Sequence, residues 1–386
     1  MKIVYAASCV SQAAYERLYG GAKAMPAFQA QKYHRLFIEG LAAHTHVDVI
    51  GCPDAESSVL SSHVVKLPQE TVGNATYRYI WGFRGPFRRV HVFFSTFFHC
   101  LRLLGGDSAV IIDCLNQMSG LAGLLAARLR GKHCVGIVTD IPQFFSNGQP
   151  LGLAKFLMRH CTDYVFLTEA MNELLNQKGR PHVVLEGHAD AAMERCLPSL
   201  DRKAKKRVCL YAGRIDLIYG IQRLVEGFLL ADLPDTELHI YGSGDFQEEL
   251  EKISAETPNV FYGGLLLPSQ VVEKEMEATL LVNPRPSNEK YVRYSFPSKT
   301  MEYMSTGTPV LMTKLPCLPE EYLPYLFFIR DETPQGIAQA LRETLRLSDE
   351  ALFQQGCAAR RFVLEQRSNV MQAAKVLEML ERNRKK

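Results

Sequence analysis

The stretch Tyr294-Ser-Phe-Pro-Ser-Lys-Thr-Met-Glu-Tyr-Met-Ser-Thr-Gly-Thr-Pro-Val310 decides the fold of the second half of this chain. Pro297 suits the first turn of a helix, because its φ is fixed and its missing amide hydrogen costs nothing there. Ser295 or Ser298 is the expected cap of that helix, and Gly307 is its expected end. The residues after Gly307 have the pattern of a strand. The stretch therefore predicts a helix whose first backbone amides are available to an anion, followed at once by a strand.

Two charged side chains of this predicted helix indicate a ligand site. Lys299 lies in the first turn, where a cation opposes the helix dipole unless an anion binds. A solvated lysine near a helix start is an equally acceptable interpretation. Glu302 follows Ser298 by about one helical turn and lies on the same face, where its carboxylate can accept hydrogen bonds from two sugar hydroxyls. These residues predict a site for a phosphate and a ribose.

The same stretch resembles the nucleotide-sugar site of retaining glycosyltransferases with the GT-B fold, of the large family 4 type that includes sucrose synthases and bacterial mannosyltransferases. That motif is written E-G-F-G-L-P-x-x-E-A-M-A-x-G-x-P-V. Glu302 falls on its second glutamate, whereas Tyr294 replaces the first. The Phe-Pro-Ser-Lys form is similar to enzymes that build bacterial capsule and exopolysaccharide. The resemblance implies substrate contacts from Tyr294, Ser295, Phe296, Pro297, Ser298 and Thr300.

A second motif, Tyr211-Ala-Gly-Arg-Ile-Asp-Leu-Ile-Tyr-Gly-Ile-Gln222, predicts a strand that ends at Gly213, then a loop and a helix. Alone, it would be interpreted as an ordinary strand–turn–helix with a surface arginine. It also resembles the family's G-R-x-x-x-x-K-G element, in which Arg214 matches the fork-shaped donor to pyrophosphate. Tyr219 replaces the lysine of that element, so one of two phosphate cations is missing. We infer that Lys299 compensates for it.

Three glycine-containing turns carry the remaining candidates for donor binding. One G-x-G turn follows a strand, which is weak evidence alone but fits the family pattern for a wall of the donor cleft. The turn after the next strand resembles a position that contacts the nucleotide base, with a plain strand-to-helix turn as the alternative. Paired glycines near the start resemble a flexible loop over the donor phosphates, with a simple surface loop as the alternative. The G-x-G turn contains Gly242 and Gly244, the turn after the next strand contains Gly264 and Leu265, and the paired glycines near the start are Gly20 and Gly21.

Asp140 follows a predicted strand in the first half of the chain and is the candidate on the acceptor side. In the resembling enzymes this position is often the aspartate of a His-Asp pair, but Thr139 replaces the histidine here. A turn aspartate before Pro142 is the alternative interpretation. Asp113 and Asn116, at the end of the preceding strand, are weaker candidates for the acceptor site.

Neither a metal nor a cofactor is expected. The chain contains no D-x-D motif, and its cysteines and histidines lack zinc-binding spacing. The resemblance implies that the helix dipole and basic residues, instead of a divalent cation, stabilise the leaving diphosphate. The predicted catalytic residues are Asp140, Arg214, Lys299 and Glu302.

Short apolar runs alternate with amphipathic stretches, which predicts parallel sheets covered by helices on both faces. Strands are predicted at Lys2–Ala7, Val47–Gly51, Ala109–Ile112, Cys134–Thr139, Tyr164–Thr168, Val208–Ala212, Glu237–Tyr241, Val260–Tyr262, Leu280–Val282, Pro309–Thr313 and Tyr325–Ile329. The basic segment Leu200–Arg207 is interpreted as an interdomain linker. The predicted fold is α/β of the GT-B type, with two doubly wound Rossmann-like domains, 1–198 and 199–365, that face each other across a cleft. The resemblance implies that a final helix, 366–386, returns to the first domain.

Bulk composition excludes several classes of protein. The chain has 386 residues, 47% of them hydrophobic and 22% charged, as expected for two or three globular domains. A net charge of +3 is too small to indicate nucleic-acid binding. No apolar run approaches the length of a transmembrane helix. The ten cysteines form no C-x-x-C pair and indicate buried thiols in a reducing compartment, so we expect a cytoplasmic protein.

The basic and aromatic segment Arg84–Phe98 admits two interpretations. It could contact the anionic inner face of the plasma membrane and position a lipid-linked acceptor there. Alternatively, it is a buried helix with a basic start, because some of its apolar residues follow core spacing. We favour the buried helix on the spacing of Phe87, Val90, Phe94, Phe97 and Leu101. Arg84, Arg88 and Arg89 remain a candidate basic patch.

Together, the motifs predict a retaining glycosyltransferase that moves a hexosyl group from a UDP- or GDP-sugar to a glycan or lipid-linked acceptor in cell-surface polysaccharide synthesis. Two alternatives remain open. A GT-B nucleotide-sugar epimerase would need carboxylates and histidines placed around the sugar. A non-catalytic nucleotide-sugar-binding subunit is favoured by the losses at Tyr294 and Tyr219, whereas Glu302, Arg214 and the intact helix start favour the enzyme.

Overall fold

The computed structural model describes residues 1–19, 28–53, 64–141 and 152–384. These residues form two compact units. The described parts of Met1–His188 and of Arg367–Lys386 make up the first unit, and Ala189–Gln366 make up the second. The chain therefore leaves the first unit near residue 188 and returns to it with its last helix.

The first unit is built on a mostly parallel sheet. Its strands are β1 (Lys2–Ala7), β2 (Val47–Gly51), β3 (Val64–Val65), β4 (Glu70–Val72), β5 (Ala75–Tyr79), β6 (Gly82–Phe83), β7 (Ser108–Asp113), β8 (Cys134–Val138), β9 (Asp163–Phe166) and β10 (His182–Val184). The eight-stranded sheet has the order β10-β9-β8-β7-β1-β2-β5-β4, with only the β4–β5 pair antiparallel. Strands β3 and β6 form a separate antiparallel pair. The order reverses between β1 and β7, as in a doubly wound sheet.

Helices cover this sheet because its central strands are apolar on both sides. Strands β1, β7 and β8 are buried along nearly their whole length, which is typical of parallel strands between two helical layers. The helices of this part of the chain are α1 (Gln12–Tyr19), α2 (Phe28–Ala42), α3 (Arg88–Leu103), α4 (Gln117–Arg130), α5 (Gly152–His160) and α6 (Glu169–Leu175).

The second unit has a fully parallel sheet. Its strands are β11 (Arg207–Arg214), β12 (Thr236–Ser243), β13 (Val260–Tyr262), β14 (Leu280–Asn283), β15 (Val310–Thr313) and β16 (Phe327–Ile329). Their order is β13-β12-β11-β14-β15-β16, so the direction of winding reverses between β11 and β14. Its helices are α7 (Ile221–Ala231), α8 (Gln247–Glu256), α9 (Pro268–Glu277), α10 (Ser298–Thr306), α11 (Pro334–Leu345) and α12 (Asp349–Arg367).

The last helix, α13 (Asn369–Arg384), packs on the first unit. Its Ala373 and Val376 join the buried core that contains Phe37 of α2. Gly40 of α2 makes this packing close, since a Cβ there would lie 2.1 Å from the Asn369 carbonyl oxygen. The tail is therefore part of the hydrophobic core of the first unit.

The predicted parallel strands are confirmed, with small shifts at their ends. The sequence missed β5, which extends the sheet beside β2, and its antiparallel neighbour β4. These two strands carry polar residues such as Thr71, Thr76 and Arg78, so they lack the continuous apolar runs that mark the central strands.

The prediction that Arg84–Phe98 forms a buried helix is wrong. Helix α3 forms, but its buried face consists of Val92, Thr96 and Cys100. Three residues assigned to the core by their spacing are exposed instead: Phe87 by 74%, Val90 by 52% and Phe94 by 51%. The apolar stripe faces outward because the smaller side chains of α3 pack inward. Among the described residues, no helix has the length and apolar character required to cross a bilayer.

The basic segment Leu200–Arg207 packs as part of the second unit. The Lys203 amino group donates to the carbonyl oxygens of Met276 at 2.9 Å and Ala278 at 2.8 Å, and to Thr308 Oγ1 at 2.7 Å. Burial lowers the pKa of Lys203 to about 8. The sequence placed the break between domains near residue 200, whereas the division between compact units lies at His188 and Ala189.

Candidate functional site

Two glycines allow β11 and β12 to end in close contact. Gly213 and Gly242 are paired across the two strands and have φ values of +154° and +140°. A Cβ on Gly242 would lie 1.7 Å from the Gly213 carbonyl oxygen, a distance that no side chain tolerates. The backbone of this strand end therefore requires glycine at both positions.

Lys299 lies against the same strand end. Its amino group donates a hydrogen bond to the Ala212 carbonyl oxygen and lies 5.3 Å from the centre of the Tyr211 ring. A Cβ on Gly213 would lie 1.6 Å from Lys299 Nζ, so glycine is needed there to admit the lysine. Lys299 is half-buried. These contacts and the partial burial favour a ligand-site role of Lys299 over a fully solvated surface lysine.

Tyr303 holds helix α10 against β11. Its hydroxyl oxygen accepts a hydrogen bond from the Ala212 amide at 2.9 Å, and Tyr303 itself is fully buried. The start of α10 is thereby fixed beside the carboxyl end of β11. Glu302, half-buried in the second turn, precedes this anchor directly.

The predicted cap of α10 is wrong. Pro297 occupies the N-cap position and Ser298 is the first helical residue, so neither Ser295 nor Ser298 caps the helix. Proline takes that position because its φ of −73° fits the extended entry into the helix. Gly307 ends the helix with a φ of +80°, as predicted.

The remaining candidates around the start of α10 differ in exposure. Ser298 is exposed, and Tyr294 and Ser295 are half-buried. Phe296 and Pro297 are buried, and Thr300 is fully buried with its hydroxyl 3.8 Å from the Met312 sulfur. Thr300 therefore packs the helix against the sheet. Its hydroxyl is buried in the contact with Met312 and is not accessible to a substrate.

Arg214 is exposed by 70% and forms an ion pair with Asp216. Its Nε donates to Asp216 Oδ2 at 2.6 Å, and this hydrogen bond raises the pKa of Arg214. The Tyr211 hydroxyl donates to the Arg214 carbonyl oxygen at 2.7 Å, which holds the backbone of this residue in place. The guanidinium thus lies at the edge of the site and is oriented by the Asp216 carboxylate, which no sequence motif singled out.

Asp216 also connects two loops. Its Oδ1 accepts a hydrogen bond of 3.0 Å from the Asp245 amide, and Asp245 Oδ1 in turn accepts a hydrogen bond of 2.8 Å from the Leu217 amide. A Cβ on Gly244 would lie 2.5 Å from Asp216 Oδ1, so this glycine of the G-x-G turn makes room for the carboxylate. The loops after β11 and β12 therefore form one rigid wall.

The turn after β13 is joined to the same wall. The Gly242 amide donates to the Gly264 carbonyl oxygen at 2.8 Å, and the Tyr262 hydroxyl donates to the Gly242 carbonyl oxygen at 2.8 Å. Leu265 is exposed by 56%. The backbone at Gly264 and Leu265 is thus held in position and accessible. It is available for the predicted contacts with a nucleotide base.

The first unit contains Asp140, which follows β8 and is half-buried. Asp113, a weaker candidate, lies at the end of β7 and receives a hydrogen bond of 2.9 Å from the Leu115 amide. Its other oxygen lies 3.3 Å from His34 Nε2, and His34 Nδ1 lies 2.7 Å from the Tyr5 hydroxyl. His34 has no local signal in the sequence, because it is brought to β7 from helix α2 only in the folded chain.

Asn116, the other weaker candidate, donates a hydrogen bond from Nδ2 to Ser8 Oγ. The paired glycines Gly20 and Gly21 lie outside the described residues. Among the described residues, no group of three or more His, Cys, Asp or Glu side chains is arranged to hold a metal ion.

Residues 206–346 match the family described as Glycosyl transferases group 1. The second unit carries a glycosyltransferase domain. This match includes both sequence motifs, with Arg214, Lys299 and Glu302. It confirms the predicted enzyme class, glycosyltransferase, at the level of this domain.

Solved structures extend the similarity to the whole chain. Sucrose-phosphate synthase from Thermosynechococcus elongatus is 17% identical, with 99% of each chain covered and a TM-score of 0.66. HepE of Anabaena in complex with UDP is 14% identical, with 99% of this chain and 100% of that chain covered and a TM-score of 0.63. The lipopolysaccharide outer core galactosyltransferase WaaB is 17% identical, with the same coverage and a TM-score of 0.59. A search of curated proteins gave no match. The similarity concerns the fold and confirms the predicted α/β chain of the GT-B type.

Proposed function

We propose that the protein is a retaining glycosyltransferase that moves a sugar from a UDP- or GDP-sugar to a glycan or lipid-linked acceptor in the synthesis of cell-surface polysaccharide. One observation carries the proposal: the glycosyltransferase domain brings Arg214, Lys299 and the start of α10 to the carboxyl end of β11. In parallel α/β sheets, ligands bind at the carboxyl ends of strands where the winding reverses, and β11 and β14 flank that point here.

The donor's diphosphate is assigned to this strand end. Lys299 is held there by Ala212, and Arg214 is held by Asp216. Both cations are positioned before a ligand arrives, so they can stabilise the charge that develops on the leaving diphosphate without reorganisation. Glu302 is assigned to the ribose hydroxyls. The family motif supports the roles of Arg214 and Glu302. Lys299 stands where that motif has an apolar residue, so its role is assigned from its hydrogen bond to Ala212.

Transfer with retention is proposed to proceed on the front face of the donor sugar. The bond between the anomeric carbon and the diphosphate oxygen breaks, and the diphosphate takes the electron pair. The acceptor hydroxyl forms the new bond on the same face and releases its proton to the diphosphate oxygen. Asp140 is assigned to the acceptor side, where it orients that hydroxyl.

The base of the donor is proposed to be uracil. HepE was solved in complex with UDP, and the trehalose-6-phosphate protein of E. coli, with a TM-score of 0.67 and 11% identity, was solved with UDP-2-fluoro glucose. The rigid backbone at Gly264 and the exposed Leu265 form the surface to which the base is assigned. GDP-sugars are the alternative.

The function is tested by a thermal-shift screen against UDP-, GDP- and ADP-sugars, followed by NMR of the product. We expect a UDP-sugar to raise the melting temperature and an acceptor to receive the sugar with unchanged anomeric configuration, with or without EDTA. If the protein binds the donor but neither transfers nor hydrolyses the sugar, it is the non-catalytic binding subunit. The replacement of two family residues by Tyr219 and Tyr294 would then be explained. A protein that inverts a ring carbon of the free donor is an epimerase.

Lys299→Ala is expected to weaken binding of UDP about tenfold, because it removes one charged hydrogen bond to the diphosphate. Uridine should bind almost unchanged, and the loss should be greater at low salt, as for any charge contact. Adding Tyr219→Lys to this variant should restore part of the affinity, since Tyr219 immediately precedes Gly220 at the start of α7. Equal losses for UDP and uridine, measured by calorimetry, would contradict a diphosphate contact.

Contact with a membrane is also proposed, through the exposed face of α3. Phe87, Val90, Phe94 and Phe98 are exposed by 51–74% and form one stripe of the helix. Arg89 and Arg102 are exposed at its two ends. An aromatic face with basic residues around it suits the interface of an anionic bilayer. Contact with a membrane through this surface would favour a lipid-linked acceptor.

Vesicle co-sedimentation tests the α3 face. The protein should sediment with phosphatidylcholine vesicles that contain phosphatidylglycerol, and salt should weaken this binding. Phe94→Glu combined with Phe98→Glu should reduce it at least about tenfold, because each buried aromatic side chain contributes about 1.5–3 kcal/mol. Leu230→Glu, at a leucine of α7 exposed by 48%, is the control and should bind normally. Equal sedimentation of the double variant and the control would exclude this face.

A further inference from the structure

Arg285 is a buried cation for which the sequence motifs give no role. It lies in the loop after β14, the strand that pairs with β11. Only 9% of the residue is exposed, and its guanidinium lies 5.0 Å from the centre of the Tyr291 ring. No carboxylate among the described residues forms an ion pair with it. Arg285 thus carries a positive charge that the second unit itself does not neutralise.

The donors of Arg285 are only partly satisfied. A guanidinium has five N–H donors, and Arg285 Nε has no hydrogen-bond partner among the described residues. Asn283 Nδ2, two residues earlier at the end of β14, is buried and equally lacks one there. Unsatisfied buried donors are costly, and charged ones are the most costly. Two of them at one strand end indicate a ligand that supplies negatively charged oxygens.

The loop that carries Arg285 packs against the start of helix α7. A Cβ on Gly220, whose φ is +78°, would lie 2.4 Å from the Pro284 carbonyl oxygen and 3.4 Å from Pro286 Cδ. Arg285 stands between these two prolines in the sequence, and Gly220 directly follows Tyr219. Arg285 is therefore brought to the helix start where the motif lacks its second phosphate cation.

Tyr211 connects Arg285 with Lys299. Burial raises the pKa of the Tyr211 hydroxyl, and the nearby Arg285 guanidinium opposes this rise. Lys299 Nζ lies 5.3 Å from the centre of the same ring. Both cations therefore lie near Tyr211 of β11, although Arg285 is in the loop after β14 and Lys299 is in the first turn of α10.

We propose that Arg285 binds the diphosphate of the nucleotide-sugar donor together with Lys299, beside the helix start where Tyr219 replaces the family's lysine. The inference rests on the proposed function and adds two residues to its site. Asn283 donates a further hydrogen bond to the same diphosphate. Neither residue makes or breaks a bond; Arg285 offsets the negative charge that the diphosphate gains when it leaves the sugar.

The test compares UDP and uridine binding to the wild type, Arg285→Met and Arg285→Lys. Arg285→Met should bind UDP about ten- to hundredfold more weakly, as expected when a charged hydrogen bond is lost. Uridine affinity, measured by NMR titration, should change less than about twofold. Arg285→Lys should recover part of the UDP affinity, because it keeps the charge but loses the fork of donors. Arg346→Met, at an exposed arginine at the end of α11, is the matched control and should behave as the wild type.

Stability of the ligand-free protein separates a binding role from a structural one. If Arg285 is kept for the ligand, Arg285→Met should melt at the same temperature as the wild type or higher, because a buried and unneutralised charge is removed. A structural arginine would instead lower the melting temperature when lost. UDP should raise the melting temperature of the wild type more than that of Arg285→Met.

The outcomes distinguish a failure of the role of Arg285 from a failure of the proposed function. If the wild type binds UDP, and both Arg285 variants bind it equally well, the role of Arg285 is overturned while the donor site stands. A lower melting temperature of Arg285→Met with unchanged UDP affinity in Arg285→Lys has the same consequence. If the wild type binds none of UDP, GDP or ADP, the proposed function fails, and the role of Arg285 fails with it.

Discussion

The Glu302→Ala variant is expected to bind its nucleotide donor at least about tenfold more weakly, because a charged hydrogen bond contributes roughly 1.5–3 kcal/mol. The fold should remain intact, since Glu302 is only half-buried and the neighbouring Tyr303 anchors α10 to β11. Calorimetry with the nucleoside diphosphate measures the loss. Transfer should fall at least in proportion, because a donor that is held loosely is also misplaced for reaction.

A matched substitution shows whether this loss belongs to the site. Glu343, on α11, is exposed and receives a hydrogen bond of 2.8 Å from Gln339. Glu343→Ala removes the same charge from the same unit and should leave donor affinity unchanged. Equal affinities of Glu302→Ala and the wild type would remove Glu302 from the donor site.

The Gly242→Ala variant is expected to have the largest effect on stability. Its Cβ would lie 1.7 Å from the Gly213 carbonyl oxygen, and its φ of +140° disfavours any side chain. Overpacking and the unfavourable backbone angle together should lower the free energy of unfolding by about 3 kcal/mol. The strand end that holds Lys299 must then shift, so donor binding should be lost as well. Urea unfolding of the ligand-free protein measures the first effect.

Gly264→Ala is the control for the backbone angle alone. Gly264 has a φ of +67°, but no atom lies within 4 Å of the position that its Cβ would take. It should cost only about 1 kcal/mol, the usual cost of a left-handed conformation. Similar urea midpoints for the two variants would show that β11 and β12 do not meet as closely as the structure describes.

The parts of the fold that the sequence predicted are those with a strong local signal. Buried parallel strands such as Lys2–Ala7 and Val260–Tyr262 are continuous apolar runs, and they were placed without a change of bounds. The helix after Pro297 and its end at Gly307 were predicted because proline and glycine restrict the backbone in known ways. These signals depend on a few neighbouring residues and not on the rest of the fold.

The face of α3 could not be predicted from the same kind of pattern. Spacing identifies a stripe of apolar residues on a helix, but it does not say whether another element covers that stripe. The first unit packs the narrow face of Val92, Thr96 and Cys100 inward, and the larger stripe with Phe94 and Phe98 stays exposed.

Site residues that depend on tertiary contacts were also missed. Asp216 gained its role from Asp245, which belongs to the loop after another strand. The loop that carries Arg285 is adjacent to Gly220, through Pro284 and Pro286, only because β14 is next to β11 in the sheet. By contrast, Lys299 was singled out because its charge opposes the dipole of its own helix, which is a local property.

A crystal structure of the protein with UDP would show directly whether the donor binds at the carboxyl end of β11. We expect the diphosphate within hydrogen-bond distance of Lys299 and Arg285, the ribose hydroxyls on Glu302, and the base beside Gly264. If UDP were bound with its diphosphate away from Lys299 and its ribose away from Glu302, the donor site would not be at this strand end.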